Sequence, residues 1–172
     1  MTIKSAGDLM IALDRYPHIP YWFTIRQAIA ELERASFTVA GRGSLPRVVL
    51  VFNESYQLLG LVRRRDLLGG LDPASVLDEL QPRRMFGIGK RPPADQAAAI
   101  VNALGDRSQR PISDVMRSIG AAVDVGAPLL EVARIMATGD ASLVPVTREG
   151  QVVGVVRTVE VLHEIATLLE CI

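Results

Sequence analysis

The stretch ASLVPVTREGQVVGVVRTVEVL, from Ala141 to Leu162, decides the fold. An apolar run, Leu143 to Val146, meets the charged turn Thr147-Arg148-Glu149-Gly150, and a second apolar run, Val152 to Val156, follows. Two short β-rich runs joined by a Gly-containing turn read as a hairpin. Beyond the hairpin, Arg157, Thr158, Val159 and Glu160 lead into a helical pattern that carries Val161, Leu162, Ile165, Leu168 and Leu169 on one side. The unit is β-β-α.

It occurs twice. The earlier copy is VVLVFNESYQLLGLVRRRDLL, Val48 to Leu68, with Asn53-Glu54-Ser55 as the turn, Leu58 to Val62 as the second strand and Arg63 to Asp66 as the exit. Gly60 matches Gly154, Arg63 matches Arg157 and Asp66 matches Glu160, each 94 positions apart, and the copies align without a gap. A repeat of this kind takes precedence over every other feature, because it sets the architecture.

Outward from the hairpins the repetition continues. Ile25, Ala28, Ile29 and Leu32 fall on one helical face, behind a capping box formed by Thr24 and Gln27. Leu129, Val132, Ala133 and Met136 repeat that spacing after Pro128, 104 positions on. The first half therefore holds about ten extra residues between helix and hairpin. They fall within 36–46, SFTVAGRGSLP, where Gly41, Gly43 and Pro46 argue for a surface loop. A short turn, SAGDLM at Ser5 to Met10, finds its counterpart in ISDVM at Ile112 to Met116. Between the halves lie a helix carrying Val76, Leu77 and Leu80, a basic Gly- and Pro-rich linker at 81–93, and a helix with Ala97, Ala98, Ile100, Val101 and Leu104 that Gly105 should stop.

These patterns predict an α/β (α+β) protein of two β-α-β-β-α repeats, 1–71 and 108–172, separated by a helical linker, 72–107. Neither half buries its sheet face alone, so the expectation is two halves packed sheet to sheet about a pseudo-twofold axis.

Composition narrows the function. A chain of 172 residues, 49% hydrophobic and 22% charged, is that of a folded protein. With 19 basic and 19 acidic residues, it lacks the overall basic character of a nucleic-acid binder. The triplet Arg63-Arg64-Arg65 and the basic linker leave a local anion or RNA surface open, although a solvated face explains them as well. No apolar run reaches the roughly 18–20 residues of a membrane span, and no signal peptide is evident, so a cytoplasmic location is expected. One cysteine and two histidines supply neither a disulfide nor a metal site, and no nucleophile has a base at recognisable spacing. No catalytic or metal-ligating residue is predicted.

The pattern DVM, amphipathic helix, LVPV, turn, VVGVV and polar exit to a helix resembles the CBS domain, a family named for cystathionine β-synthase whose members pair in tandem as Bateman modules. The resemblance covers 5–70 and 108–170. It implies a regulatory module, a homodimer, that senses a small anionic ligand in clefts between the halves and signals to a regulated partner protein. The ligands it implies are AMP, ADP, ATP or another adenosyl compound. It also implies that the dimer buries the helix faces around Leu129, Met136, Ile165 and Leu169.

In that family the second strand exits through Gly, apolar residues, a Thr or Ser that helps hold phosphate, two variable residues and an Asp that accepts from ribose hydroxyls. Carried over, these positions are Gly60, Arg63 and Asp66 in the first repeat, and Gly154, Arg157 and Glu160 in the second. Arginine replaces the hydroxyl twice, and Glu160 replaces the second Asp. Asp66 and Glu160 are therefore candidate ribose acceptors or, alternatively, acids at a helix start. Arg63 and Arg157 are candidate phosphate ligands or partners of the acids three residues on, which would leave a cleft without nucleotide and the chain an interaction module. Tyr21 is a candidate for the border of an adenine pocket, or packs with Tyr16, Trp22 and Phe23.

Overall fold

The computed structural model describes residues 3–39, 41–80 and 94–170. The basic linker at 81–93 lies outside the described residues.

The first half runs through α1 (Ala6–Leu9), β1 (Ile11–Ala12), β2 (His18–Pro20), α2 (Ile25–Arg34), β3 (Phe37–Val39), β4 (Arg42–Ser44), β5 (Val48–Phe52), β6 (Leu58–Arg63) and α3 (Arg64–Gly70). The connecting helices are α4 (Pro73–Leu80) and α5 (Ala94–Arg107). The second half supplies β7 (Val123–Asp124), α6 (Leu129–Thr138), β8 (Leu143–Arg148), β9 (Gln151–Arg157) and α7 (Thr158–Leu169). The α2 capping box forms as the sequence predicts: Thr24 Oγ1 accepts from the Gln27 amide, and Gln27 Oε1 accepts from the Thr24 amide. Helix α5 does not stop at Gly105 but runs to Arg107, whose guanidinium pairs with Glu79 of α4 (2.6 Å).

Two sheets, β2-β5-β6 and β1-β9-β8-β7, carry the predicted hairpins at their centres. Strand β5 is buried along its whole length because both its faces are covered. Val49 and Val51 pack with Ile25, Ala28 and Leu32 of α2, while Val48, Leu50 and Phe52 join Leu143 and Val155 of the other sheet. Full burial of one such side chain contributes about 1.5–3 kcal/mol. In the second half Val144 and Val146 pack with Leu129, Val132 and Met136 of α6 and Val161 of α7. The layers are therefore helices, sheet, sheet, helices, as the α/β repeat reading requires.

Four expectations need correction. Strand register places Val51 opposite Gly60 and Val146 opposite Gly154, so the first strands lie 95 positions apart and the second strands 94. The gapless alignment fails by one residue because five residues bridge Phe52 and Leu58, and four bridge Thr147 and Val152. Secondly, the insertion is not an irregular loop: β3 and β4 pair antiparallel within it. Thirdly, Leu129 and Met136 belong to the core and Ile165 packs against it, so of the predicted dimer face only Leu169 is well exposed. The exposed apolar residues of α6 and α7 are Leu130, Val159, Leu162 and Leu169.

The fourth concerns connectivity. Strand β1 does not join the sheet of its own half; Ile11 and Ala12 pair with Val155 and Gly154. Helix α1 follows it across, with the Ala6 and Gly7 amides donating to Ala127 and Val125 (both 2.8 Å). Reciprocally, the Ile112 amide donates to Phe23 (2.7 Å), and Arg117 bridges Leu61 of β6. Each half lends its first segment to the other.

This exchange explains the matched glycines. A Cβ on Gly60 would lie inside 3 Å of the Arg117 carbonyl oxygen, and one on Gly154 inside 3 Å of the Ile11 carbonyl oxygen. Only glycine admits so close an approach of the crossing chain.

Candidate functional site

The two polar strand exits sit at equivalent places in the fold, and both candidate arginines turn back onto the acid three residues ahead. At the first exit, Arg63 grips Asp66 with Nε (2.8 Å) and Nη2 (2.9 Å), and its backbone amide donates to the same carboxylate (3.0 Å). A second guanidinium reaches in from the crossing segment: Arg117 Nε donates to Asp66 Oδ1 at 2.8 Å. Burial of Asp66 opposes its ionisation, but the bonds from Arg63 and Arg117 prevail and hold the carboxyl well below the usual carboxylate range. An ionised carboxylate offers about four acceptor positions. The four bonds from Arg63 and Arg117 fill them.

The second exit has the same pair with different surroundings. Arg157 donates through Nε (2.9 Å) and Nη2 to Glu160, and both residues are buried. The position equivalent to Arg117 is Ile11, so no second guanidinium arrives by that route. Instead Arg157 Nη1 donates to Ser44 Oγ at 2.8 Å. Ser44 ends β4, so the insertion peculiar to the first half lies over the second exit. Val39 of β3 packs against the core between the sheets, and Arg15 Nη2 donates to the Thr38 carbonyl (2.7 Å), fastening the hairpin down.

The second half has no such insertion, and the first exit borders a cleft of about 550 Å³. Arg63, Arg65 and Arg117 line it, together with Val48, Leu61 and the 118–121 segment. The opposite half contributes residues 138–145, including Asp140, Ser142 and Pro145. The volume falls in the range of small-molecule sites. Arg65 is exposed and makes no hydrogen bond or ion pair among the described residues. Asp66 does not line this cleft; it faces a shallower groove shared with Gly69, Gly70, Arg110 and Asp114. The cleft thus presents guanidinium donors, with the Asp140 carboxylate on the facing loop acting electrostatically on Arg63.

Of the five residues singled out from sequence, Arg63 lines the open cleft, Asp66 stands behind it, and Arg157 with Glu160 forms the closed second exit. Tyr21 is in neither place. Its hydroxyl donates to Glu54 (2.8 Å) beside the β5–β6 turn, and its ring meets Trp22 edge-on. Sequence reading missed Arg117, Arg65 and Asp140 as cleft residues. A signal for Arg117 was present: it follows the matched Met116, where an apolar Ile11 follows Met10.

Residues 112–167 match the family model for the CBS domain. No curated protein matches the sequence at a significant level. Among solved structures, the chain is similar to CBSX2 in complex with AMP, at 17% identity and a TM-score of 0.62, covering 96% of this chain and 98% of that one. It is similar to a putative acetoin utilization protein, AcuB, from Vibrio cholerae, at 19% identity and a TM-score of 0.63, covering 98% and 95%. The cytosolic domain of the Mg2+ channel MgtE in complex with ATP is 22% identical, with a TM-score of 0.59, and covers 92% of this chain and 48% of that one. No helix among the described residues is long and apolar enough to cross a membrane.

Proposed function

We infer that this chain, a tandem CBS module by fold whose second half is a CBS domain by sequence, is a non-catalytic regulatory module. It senses a small anionic ligand of the adenosine-nucleotide class. The observation that carries the reading is the cleft built from both halves and lined by Arg63, Arg65 and Arg117. Guanidinium groups grip phosphate oxygens bidentately. The AMP and ATP complexes of the similar structures support the nucleotide class.

Because the cleft takes its walls from both halves, a ligand there favours one relative arrangement of them, and a population shift of that kind is what a partner protein reads. A second copy of the chain, covering exposed Leu130, Leu162 and Leu169 on α6 and α7, makes the module a homodimer.

Thermal unfolding with AMP, ADP and ATP tests the reading. A nucleotide at 100 times its dissociation constant adds about 2.7 kcal/mol of stability, and an Arg65→Ala, Arg117→Ala double variant should lose that gain. No shift with any nucleotide would favour the second reading, a protein-interaction module with ligand-free clefts. The observation on its side is that both strand-exit acids are already paired with arginine.

A further inference from the structure

We propose that the open cleft is a phosphate receptor in which Asp66 is the internal counter-ion of the arginines and not a ligand contact. This rests on the nucleotide-sensing reading above and specifies what it recognises. The four acceptor positions of Asp66 are occupied by Arg63 and Arg117, so no lone pair is left for ribose hydroxyls. Its side chain is only 6% exposed and lies behind the arginines as seen from the cleft.

The donors, in contrast, are not exhausted. Arg117 uses Nε alone on Asp66, its side chain is 58% exposed, and its two terminal nitrogens remain available. Arg63 keeps Nη1, and Arg65 keeps its whole guanidinium. A wall with donors to spare and its acid already saturated selects a group that only accepts. A phosphate, with several charged acceptor oxygens, fits that requirement better than a neutral hydroxyl with one. Arg117 can meet a phosphate oxygen with its terminal nitrogens while Nε stays on Asp66. Asp140, a carboxylate that does line the cleft, opposes the anion and limits its affinity.

The consequence is a ligand recognised through its phosphates first, with the nucleoside contributing secondarily. Calorimetric titration of the full chain at low salt, with inorganic pyrophosphate, ATP, AMP and adenosine as probes, tests this. Pyrophosphate and ATP should bind, and adenosine should bind at least about tenfold more weakly than AMP. Arg117→Ala and Arg65→Ala should each weaken pyrophosphate roughly ten- to a hundredfold, the range of a charged hydrogen bond. Asp66→Asn should retain pyrophosphate binding, since the Asp66 carboxylate makes no contact with the anion. Adenosine binding as tightly as AMP would overturn the proposal while leaving a nucleotide sensor intact, as would loss of nucleotide binding in a folded Asp66→Asn. Binding of none of the four probes would remove both the proposal and the reading beneath it. Should Asp66→Asn fail to fold, the wild-type contrast between pyrophosphate and adenosine decides alone.

Discussion

The two strand exits begin from the same motif and end in opposite states. Arg63 and Arg157 each fold back onto the acid three residues on, yet one pair borders an open cleft and the other is sealed. The difference originates elsewhere in the chain. The β3–β4 hairpin is present only in the first half, and it reaches across to place Ser44 on Arg157. Arg117 is present only on the segment that the second half lends to the first, and it reaches Asp66. Each exit is thus defined by what the opposite half supplies. The two halves differ by a cover over one exit and a cation beside the other.

The comparison can be broken most directly by removing the arginines. Arg157→Ala strands the buried Glu160 carboxylate, and unpairing a buried charge costs about 3–5 kcal/mol. Arg63→Ala leaves Asp66 still held by Arg117, and should cost roughly 1–3 kcal/mol. Chemical denaturation of the two variants would show equal losses if the exits were energetically alike.

A smaller effect tests whether the crossing segments are equivalent. Gly60→Ala and Gly154→Ala each force a methyl group against a backbone carbonyl of the crossing chain. Each should lose about 1–3 kcal/mol, the usual cost of overpacking. Denaturation midpoints that fall together sharpen the pseudo-twofold relation; a Gly154 variant as stable as the wild type breaks it.

The smallest expected effect is the acid response of the first exit. The folded carboxyl of Asp66 lies below its ordinary value of 3.8, so its contribution to stability is complete above that value and is lost as pH falls through the depressed folded value. Wild-type stability should therefore decline from about pH 4 downward, and Asp66→Asn should decline less steeply over that window. Identical slopes in unfolding experiments between pH 4 and pH 2 would show that the Arg63–Asp66–Arg117 cluster contributes nothing.

Much of this was legible in the chain. The hairpins show as paired short apolar runs joined by polar turns, and α2 announces itself with its capping box. What remained hidden has identifiable physical causes. Strand β1 is two residues long, too short to carry any periodicity, so its transfer to the other sheet left no trace. The one-residue slip between repeats was masked because β5 is apolar on both faces, and a continuous apolar run aligns equally well in either register. Leu129 and Met136 share their helix with exposed Leu130, and apolarity alone does not say which face meets the core. At the sites, Arg63 and Arg157 were visible by position, and their pairing with the acids was one of the two alternatives the motif allowed. Arg117 and Ser44 act across 51 and 113 residues of chain, distances over which local pattern says nothing.

The reciprocal loan of first segments also bears on how the molecule is made. Ile11 finds Val155 only once the chain 144 positions further on has been made, and Gly60 meets the crossing segment only once Arg117, 57 positions on, exists. Strand β1 therefore stays unpaired until β9 is made, although β2, β5 and β6 can pair within the first half. Pairings so distant along the chain carry a large loop-closure cost and belong to slow folders. The second half made alone would therefore leave the β9 edge of its sheet bare, and is not a smaller version of the protein.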